Sequence, residues 1–356
     1  MIVYDYNNRT KFGMSDKERH VYAGWMIIVV TCSMAGDAIV LISSIKYGAF
    51  RLPRPVVTFI QHIAAADFIA SLTKGLPIII STLVNGVAFN DISFTYFSFF
   101  MGYYIFTVSP FLITAMALIK YILIKYPFKT MTWSSIHVHR LCAGIWISSI
   151  FTPLLHLLVD PSDITFDYRV YTHMYGYTSH IWKVLLPATS FLVLAASSII
   201  ILFSSGLLLK EARQVQFRPG ESLRAAGIIT VLLSAVIYSI SYLPLAIYFI
   251  AEPFVVKDPG VPGPFFLGFY RVGFAFLYFN VIGNFFVYVI TVKSFRRFLR
   301  RRLRKVVEIL TGEETSQPDG GLSRVNTYVS EFDDHRRGTK ISLFTSRRAS
   351  DKNWTT

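Results

Sequence analysis

The sequence is short of charge and short of cysteine. Only 16% of its 356 residues are charged, whereas 53% are hydrophobic. A soluble domain of this length carries more charge and breaks its apolar residues into shorter runs. Cys32 and Cys142 both lie inside apolar stretches, so they read as small buried hydrophobes rather than a disulfide or metal pair. The first 20 residues lack an apolar centre, so no cleavable signal peptide is expected and the first span serves as its own insertion signal. No His/Asp or His/Cys cluster has metal-ligand spacing, which argues against a membrane enzyme. Neither the alternation of a barrel strand nor a transporter-type repeat is present.

What is present is a set of seven apolar blocks, at roughly 23–46, 56–84, 94–124, 138–159, 180–210, 224–251 and 265–292. Each is long enough to cross a bilayer, which takes about 20 mostly apolar residues. The breaks between them are polar or turn-forming, as in Arg51-Leu52-Pro53-Arg54-Pro55, Asn85-Gly86 and the Pro/Gly run from Asp258 to Pro264. The expected fold is therefore all-α, a seven-transmembrane helix bundle with a short amphipathic C-terminal membrane-surface helix. Its parts are an extracellular N-terminus (1–22), the bundle (23–292), the surface helix (293–310) and a disordered cytoplasmic tail (311–356).

The net charge of +14 does not point to nucleic acid, because the cations occupy the gaps between blocks and the tail. The connections after the first, third and fifth blocks hold Lys46, Arg51, Arg54; Lys125, Lys129, Arg140; and Lys210, Arg213, Arg218, Arg224. The other connections hold mainly acids. By the positive-inside rule the basic set faces the cytosol and the N-terminus lies outside, as expected of a multi-pass plasma-membrane protein. Asn8-Arg9-Thr10 then falls where N-glycosylation of Asn8 is feasible. From Lys293 to Lys305, eight cations alternate with Phe295, Phe298, Leu299 and Leu303 at helical spacing. This suits a helix lying on anionic lipids, though a basic stop-transfer flank has similar composition.

Residues inside the blocks resemble those of the rhodopsin-like G-protein-coupled receptors. The first block holds Gly36-Asp37-Ala38-Ile39-Val40, similar to the family's Gly-Asn-x-x-Val. The second has Ile63-Ala64-Ala65-Ala66-Asp67 against Leu-Ala-x-x-Asp, and the third ends Ile119-Lys120-Tyr121 where the family has Asp-Arg-Tyr. Trp146 and Pro187 mark the fourth and fifth. Ser241-Tyr242-Leu243-Pro244 matches Cys-Trp-x-Pro, and Asn284-Phe285-Phe286-Val287-Tyr288 matches Asn-Pro-x-x-Tyr.

The resemblance implies a role for each motif. Asp67 is an ionisable residue in mid-span, where charge is costly and usually lines a wet interior. Its family counterpart helps hold sodium, which makes Asp67, Ser109, Asn280 and Asn284 candidate ligands for Na+; a water network would use the same residues. Asp37 replaces an Asn beside that acid, and two carboxylates in a low dielectric do not both ionise comfortably. Asp37, Lys120, Tyr121, Arg224, Pro244, Asn284 and Tyr288 fall at positions of activation and G-protein coupling. Several depart from the family pattern. Ile119 removes the acid beside Lys120, and Arg224 stands where many relatives carry a second acid, so the usual ionic lock cannot form. Phe285 removes a proline, and Pro110 introduces one in the third block. The two cysteines that usually tie the second outer loop are absent, leaving the loop from Asp160 to His180 to order itself by packing, with its aromatics forming a lid.

Gly102 replaces the Asp of amine receptors and Tyr278 the Lys of opsins, which sets both ligand classes aside. Lys74, Lys183 and Arg271 lie in the outer half, with Tyr242 and Phe274 as aromatic walls. They favour an anionic small molecule or peptide, against the alternative of cations snorkelling to headgroups. The tail's Arg347-Arg348-Ala349-Ser350 suits phosphorylation of Ser350 and an arrestin partner, or simply a solvated tail. The expected function is thus a receptor passing an extracellular ligand signal to heterotrimeric G proteins. A non-signalling or heteromeric receptor-fold protein, or a seven-helix transporter or channel, remain alternatives.

Overall fold

The computed structural model describes residues 15–50, 52–84, 92–126, 135–157, 164–167, 172–175, 180–215, 222–255 and 264–311. In chain order the helices are α1 (Asp16–Lys46), α2 (Arg54–Ala70), a π-helical turn (Ser71–Gly75), α3 (Leu76–Leu83), α4 (Ile92–Lys125), α5 (Ser135–Ser148), α6 (Phe151–Leu157), α7 (His180–Val215), α8 (Ser222–Val255), α9 (Pro264–Thr291) and α10 (Lys293–Thr311). Span two is α2 to α3, span four is α5 with α6, and α1, α4, α7, α8 and α9 are spans one, three, five, six and seven. Among the described residues, Asp16–Lys46, Arg54–Leu83, Tyr96–Leu123 and Ile228–Tyr248 are each long and apolar enough to cross a membrane. The fold is the all-α seven-span bundle that the apolar blocks imply.

Local chemistry sets the helix ends. Span one starts at Asp16 rather than near residue 23, because Ser15 and Glu18 form a capping box that carries the helix beyond its apolar part. It ends at Gly48, which adopts φ 52°, and the Ala49 N–H turns back to donate to the Ser43 carbonyl at 3.0 Å. Pro53 and Pro55 start α2 where a missing N–H costs nothing. In the middle of span two, Pro77 cannot donate to Thr73 and its ring would collide with that carbonyl. The backbone widens into the π turn just before it. Thr73 Oγ1 donates instead to the Ile69 carbonyl at 2.7 Å. Span three continues as helix through Pro110, and span four is broken at Ser149–Ile150.

Apolar side chains cover the outside and polar ones lie within. Ile28, Ile45, Ile147, Phe203, Leu243 and Ile290 are exposed, whereas Asp37, Asp67, Asn280 and Asn284 are at most 1% exposed. That inversion of a soluble core fits a bundle solvated by lipid. In the second outer loop, β1 (Ile164–Asp167) pairs antiparallel with β2 (Thr172–Tyr175), Ile164 opposite Tyr175 and Asp167 opposite Thr172. Backbone pairing thus gives part of this loop the order that packing alone was expected to supply. Tyr168, Tyr171 and Tyr177 lie outside the described residues. In α10, Phe295 is fully buried, stacked on Phe50 at 4.7 Å and edge-on to Phe285 at 6.2 Å. From Arg300 to Thr311 the helix is almost entirely exposed.

Candidate functional site

The centre of the bundle holds a polar cluster built from four spans. Asp67 accepts from Ser109 Oγ on span three at 3.0 Å and from Asn284 Nδ2 on span seven at 2.8 Å. Ser33 Oγ donates to Asp37 Oδ2 at 3.0 Å and lies 3.0 Å from Ser71 Oγ. Ser33 spends its one proton on Asp37, so Ser71 is the donor to Ser33. This chain of hydroxyls carries Asp37 from span one to the residue one turn beyond Asp67. Sequence reasoning named both acids but missed Ser33 and Ser71, for which the four-residue spacing Ser33/Asp37 and Asp67/Ser71 was the available signal.

In the buried interior of the bundle several atoms have no hydrogen-bond partner among the described residues: both amide atoms of Asn280, Oδ1 of Asn284, and the hydroxyls of Tyr288 and Ser241. Buried amides rarely go unsatisfied, so this interior fits water or a cation. Every ligating atom on offer is oxygen, the preference of a hard ion. The four residues expected to hold sodium, Asp67, Ser109, Asn280 and Asn284, are all buried within the bundle.

Toward the other end from Lys46 and Lys125, the π turn presents Lys74 to span three. A Cβ built on Gly102 would lie 3.3 Å from both Cε and Nζ of Lys74. The ammonium therefore fills the space that a side chain at position 102 would need. Among the described residues Lys74 makes no ion pair and no hydrogen bond. Tyr242 is buried, its ring 4.4 Å from Tyr238 and 5.5 Å from Phe106, with Pro244 half-buried beyond it. Phe100 stacks on Tyr104 at 6.0 Å, and the Tyr104 hydroxyl donates to the Trp146 carbonyl at 3.0 Å. Lys183, Arg271 and Phe274 lie on helical backbone, but their side chains are outside what the structure describes. Asn8 and Ser350 are outside the described residues altogether.

At the basic end the contacts are partly charged and partly neutral. Lys120 is 3% exposed, Tyr121 Oη accepts from Lys125 Nζ at 2.8 Å, and Arg224 lies in α8 with its side chain undescribed. Thr230 and Thr291 join spans six and seven, hydroxyl to hydroxyl, at 2.8 Å, and Thr291 also donates to the Val287 carbonyl at 2.7 Å. Phe285 was expected only to leave span seven less bent. It also seats on Gly36 of span one so closely that a Cβ there would stand 2.8 Å from its Cγ. Another contact missed from sequence links spans two and four. Trp146 Nε1 donates to His62 Nδ1 at 3.2 Å, and His62 Nε2 lies 3.1 Å from His139 Nδ1. Indole only donates, which puts the proton of neutral His62 on Nε2, toward His139.

Comparison with known families agrees with this geometry. The profile described as 7 transmembrane receptor (rhodopsin family) matches residues 36–294, well over half of the chain. That range holds Asp37, Asp67, Lys74, Gly102 and the span-seven motif. Among curated proteins no match was found. The matched family is one of receptors rather than enzymes, and the chain belongs to it: a multi-pass membrane protein of the rhodopsin family of seven-transmembrane receptors.

Proposed function

We propose that this receptor responds to an anionic extracellular ligand whose acidic group pairs with Lys74, and that it signals to heterotrimeric G proteins from the plasma membrane. The observation that carries the ligand class is Lys74 lying over Gly102. An ammonium inside a span is costly unless paired, and an acid at position 102 would have paired it. The glycine leaves the counter-charge to the ligand. In this reading the N-terminus and the π turn face outside, and Lys46, Lys125 and α10 face the cytosol and its anionic lipids. A cation among Asp67, Ser109, Asn280 and Asn284 belongs to the same reading, sodium being the ion that family resemblance alone would place there.

Coupling follows family membership, with an altered resting state. Lys120 and Arg224 are both cationic, so the usual attraction between spans three and six is absent. A unit pair at 4 Å is worth about 4 kcal/mol at an effective dielectric near 20 and about 1 at a wet surface. Moving a two-state equilibrium from 1:99 to 99:1 takes about 5.5 kcal/mol. The missing pair therefore raises basal activity without forcing full activity.

The test is a cell reporter assay with several G proteins, run without ligand and with panels of carboxylates, phosphates and amines. Elevated basal signalling that falls in Arg224→Glu, and responses confined to acids, are the expected results. Silence with every G protein, together with no effect of Arg224→Glu, would support a receptor-fold protein that does not couple.

A further inference from the structure

The polar cluster contains two acids, and only one of them belongs to the sodium site expected by resemblance. Asp37 stands where the family has a neutral Asn, is 1% exposed, and feels the charge of Asp67. Arg19 pairs with Asp16 at 3.0 Å, far along span one from Asp37. With both acids ionised, a monovalent ion leaves one buried negative charge uncompensated, and what can relieve it is a second positive charge or a proton shared between them.

We propose that the midplane cluster is a site for a divalent cation such as calcium, held jointly by Asp37 and Asp67. This deepens the cation part of the reading above and is independent of the ligand at Lys74. Two carboxylates match the charge of a divalent ion, and neutralising buried acids is what makes their burial tolerable. Calcium takes six to eight oxygen ligands in irregular geometry. Besides the carboxylates, Ser33, Ser71 and Ser109 offer hydroxyl oxygens linked to the acids by hydrogen bonds. Asn280 Oδ1, Asn284 Oδ1 and the Tyr288 hydroxyl are buried without hydrogen-bond partners among the described residues. The Asn284 amide already donates to Asp67 Oδ2, which places its free oxygen beside that carboxylate. No sulfur or imidazole stands among these groups, so a softer metal has nothing to prefer.

The test uses purified full-length receptor, washed with chelator, and reads its thermal midpoint in CaCl2, NaCl and choline chloride at matched ionic strength. A ligand that binds only the folded state stabilises by mass action, so near-saturating calcium should raise the midpoint by about 2–4 °C or more over choline. Asp37→Asn, which keeps the side chain's size and restores the family residue, should remove the calcium shift and leave a sodium shift. Stabilisation of the wild type by sodium alone would overturn the divalent assignment while sparing the cation site. Equal midpoints in all three salts would overturn both. A calcium shift that survives Asp37→Asn would also overturn it, since Asp67 alone would then suffice.

Discussion

At the Lys74 end of the bundle an ammonium stands beside a glycine with no counter-charge among the described residues, whereas at the basic end neutral contacts join the elements: Phe285 on Gly36, Thr230 with Thr291, and Phe295 on Phe50. In the first region an ammonium goes unpaired among the described residues; in the second these three contacts between elements are neutral, while Lys125 and Arg296 bond to groups close by in the chain. The difference is what ligand recognition and resting-state stability separately require. An unpaired cation has a strong preference for one class of partner. A dry, neutral interface holds helices together without choosing a partner, because small residues let backbones approach and apolar rings fill the gap.

The comparison can be broken most forcefully at Gly36. Any side chain there meets Phe285, so Gly36→Val overpacks the contact between spans one and seven, at a cost of about 1–3 kcal/mol. The thermal midpoint of the purified receptor should fall by several degrees and recover in large part when Phe285→Ala is added. A midpoint unchanged by Gly36→Val would mean that the spans are not held there. Thr230→Val has a smaller effect. It removes the hydroxyl that meets Thr291 without leaving Thr291 unpaired, since Thr291 still donates to Val287. The expected loss is about 0.5–1.5 kcal/mol, with a rise in ligand-free signalling of several-fold if this clasp restrains span six. Smallest is Trp146→Phe, which strips His62 Nδ1 of its donor at a partly lipid-facing contact and should lower the midpoint by about 1–2 °C. Combined with His139→Ala, its effect should be less than additive, because the two side chains share His62.

Much of this arrangement was legible in the sequence. Seven apolar blocks gave the spans, and the midplane residues Asp67, Ser109 and Asn284 do meet. Span one outran its apolar block because a helix can extend into water when capped, and hydropathy does not register Ser15 or Glu18. Lys74 and Gly102 were each singled out, but their contact was not foreseeable from spacing. It depends on the π turn, which shifts the helical register of everything beyond it. Pro77 was the visible sign of that turn, although proline announces a disturbance without fixing its form. Phe285 was read as the loss of a kink, since sequence shows what a residue lacks more readily than which glycine it will pack against. The hairpin of the second outer loop escaped notice because its strands are only four residues long and do not alternate cleanly.

The most direct measurement of the Lys74 reading needs no coupling assay. The thermal midpoints of purified wild type, Lys74→Gln and Gly102→Asp would be compared across one panel of small carboxylates, sulfonates, phosphates and amines. A hydrogen bond to a charged group contributes about 1.5–3 kcal/mol, so an acid that stabilises the wild type should bind roughly 10- to 100-fold more weakly to Lys74→Gln. Gly102→Asp should lose the same acid while becoming more stable by itself, its new carboxylate pairing with Lys74. Stabilisation of all three proteins by the same acids, or of the wild type by amines alone, would contradict the account.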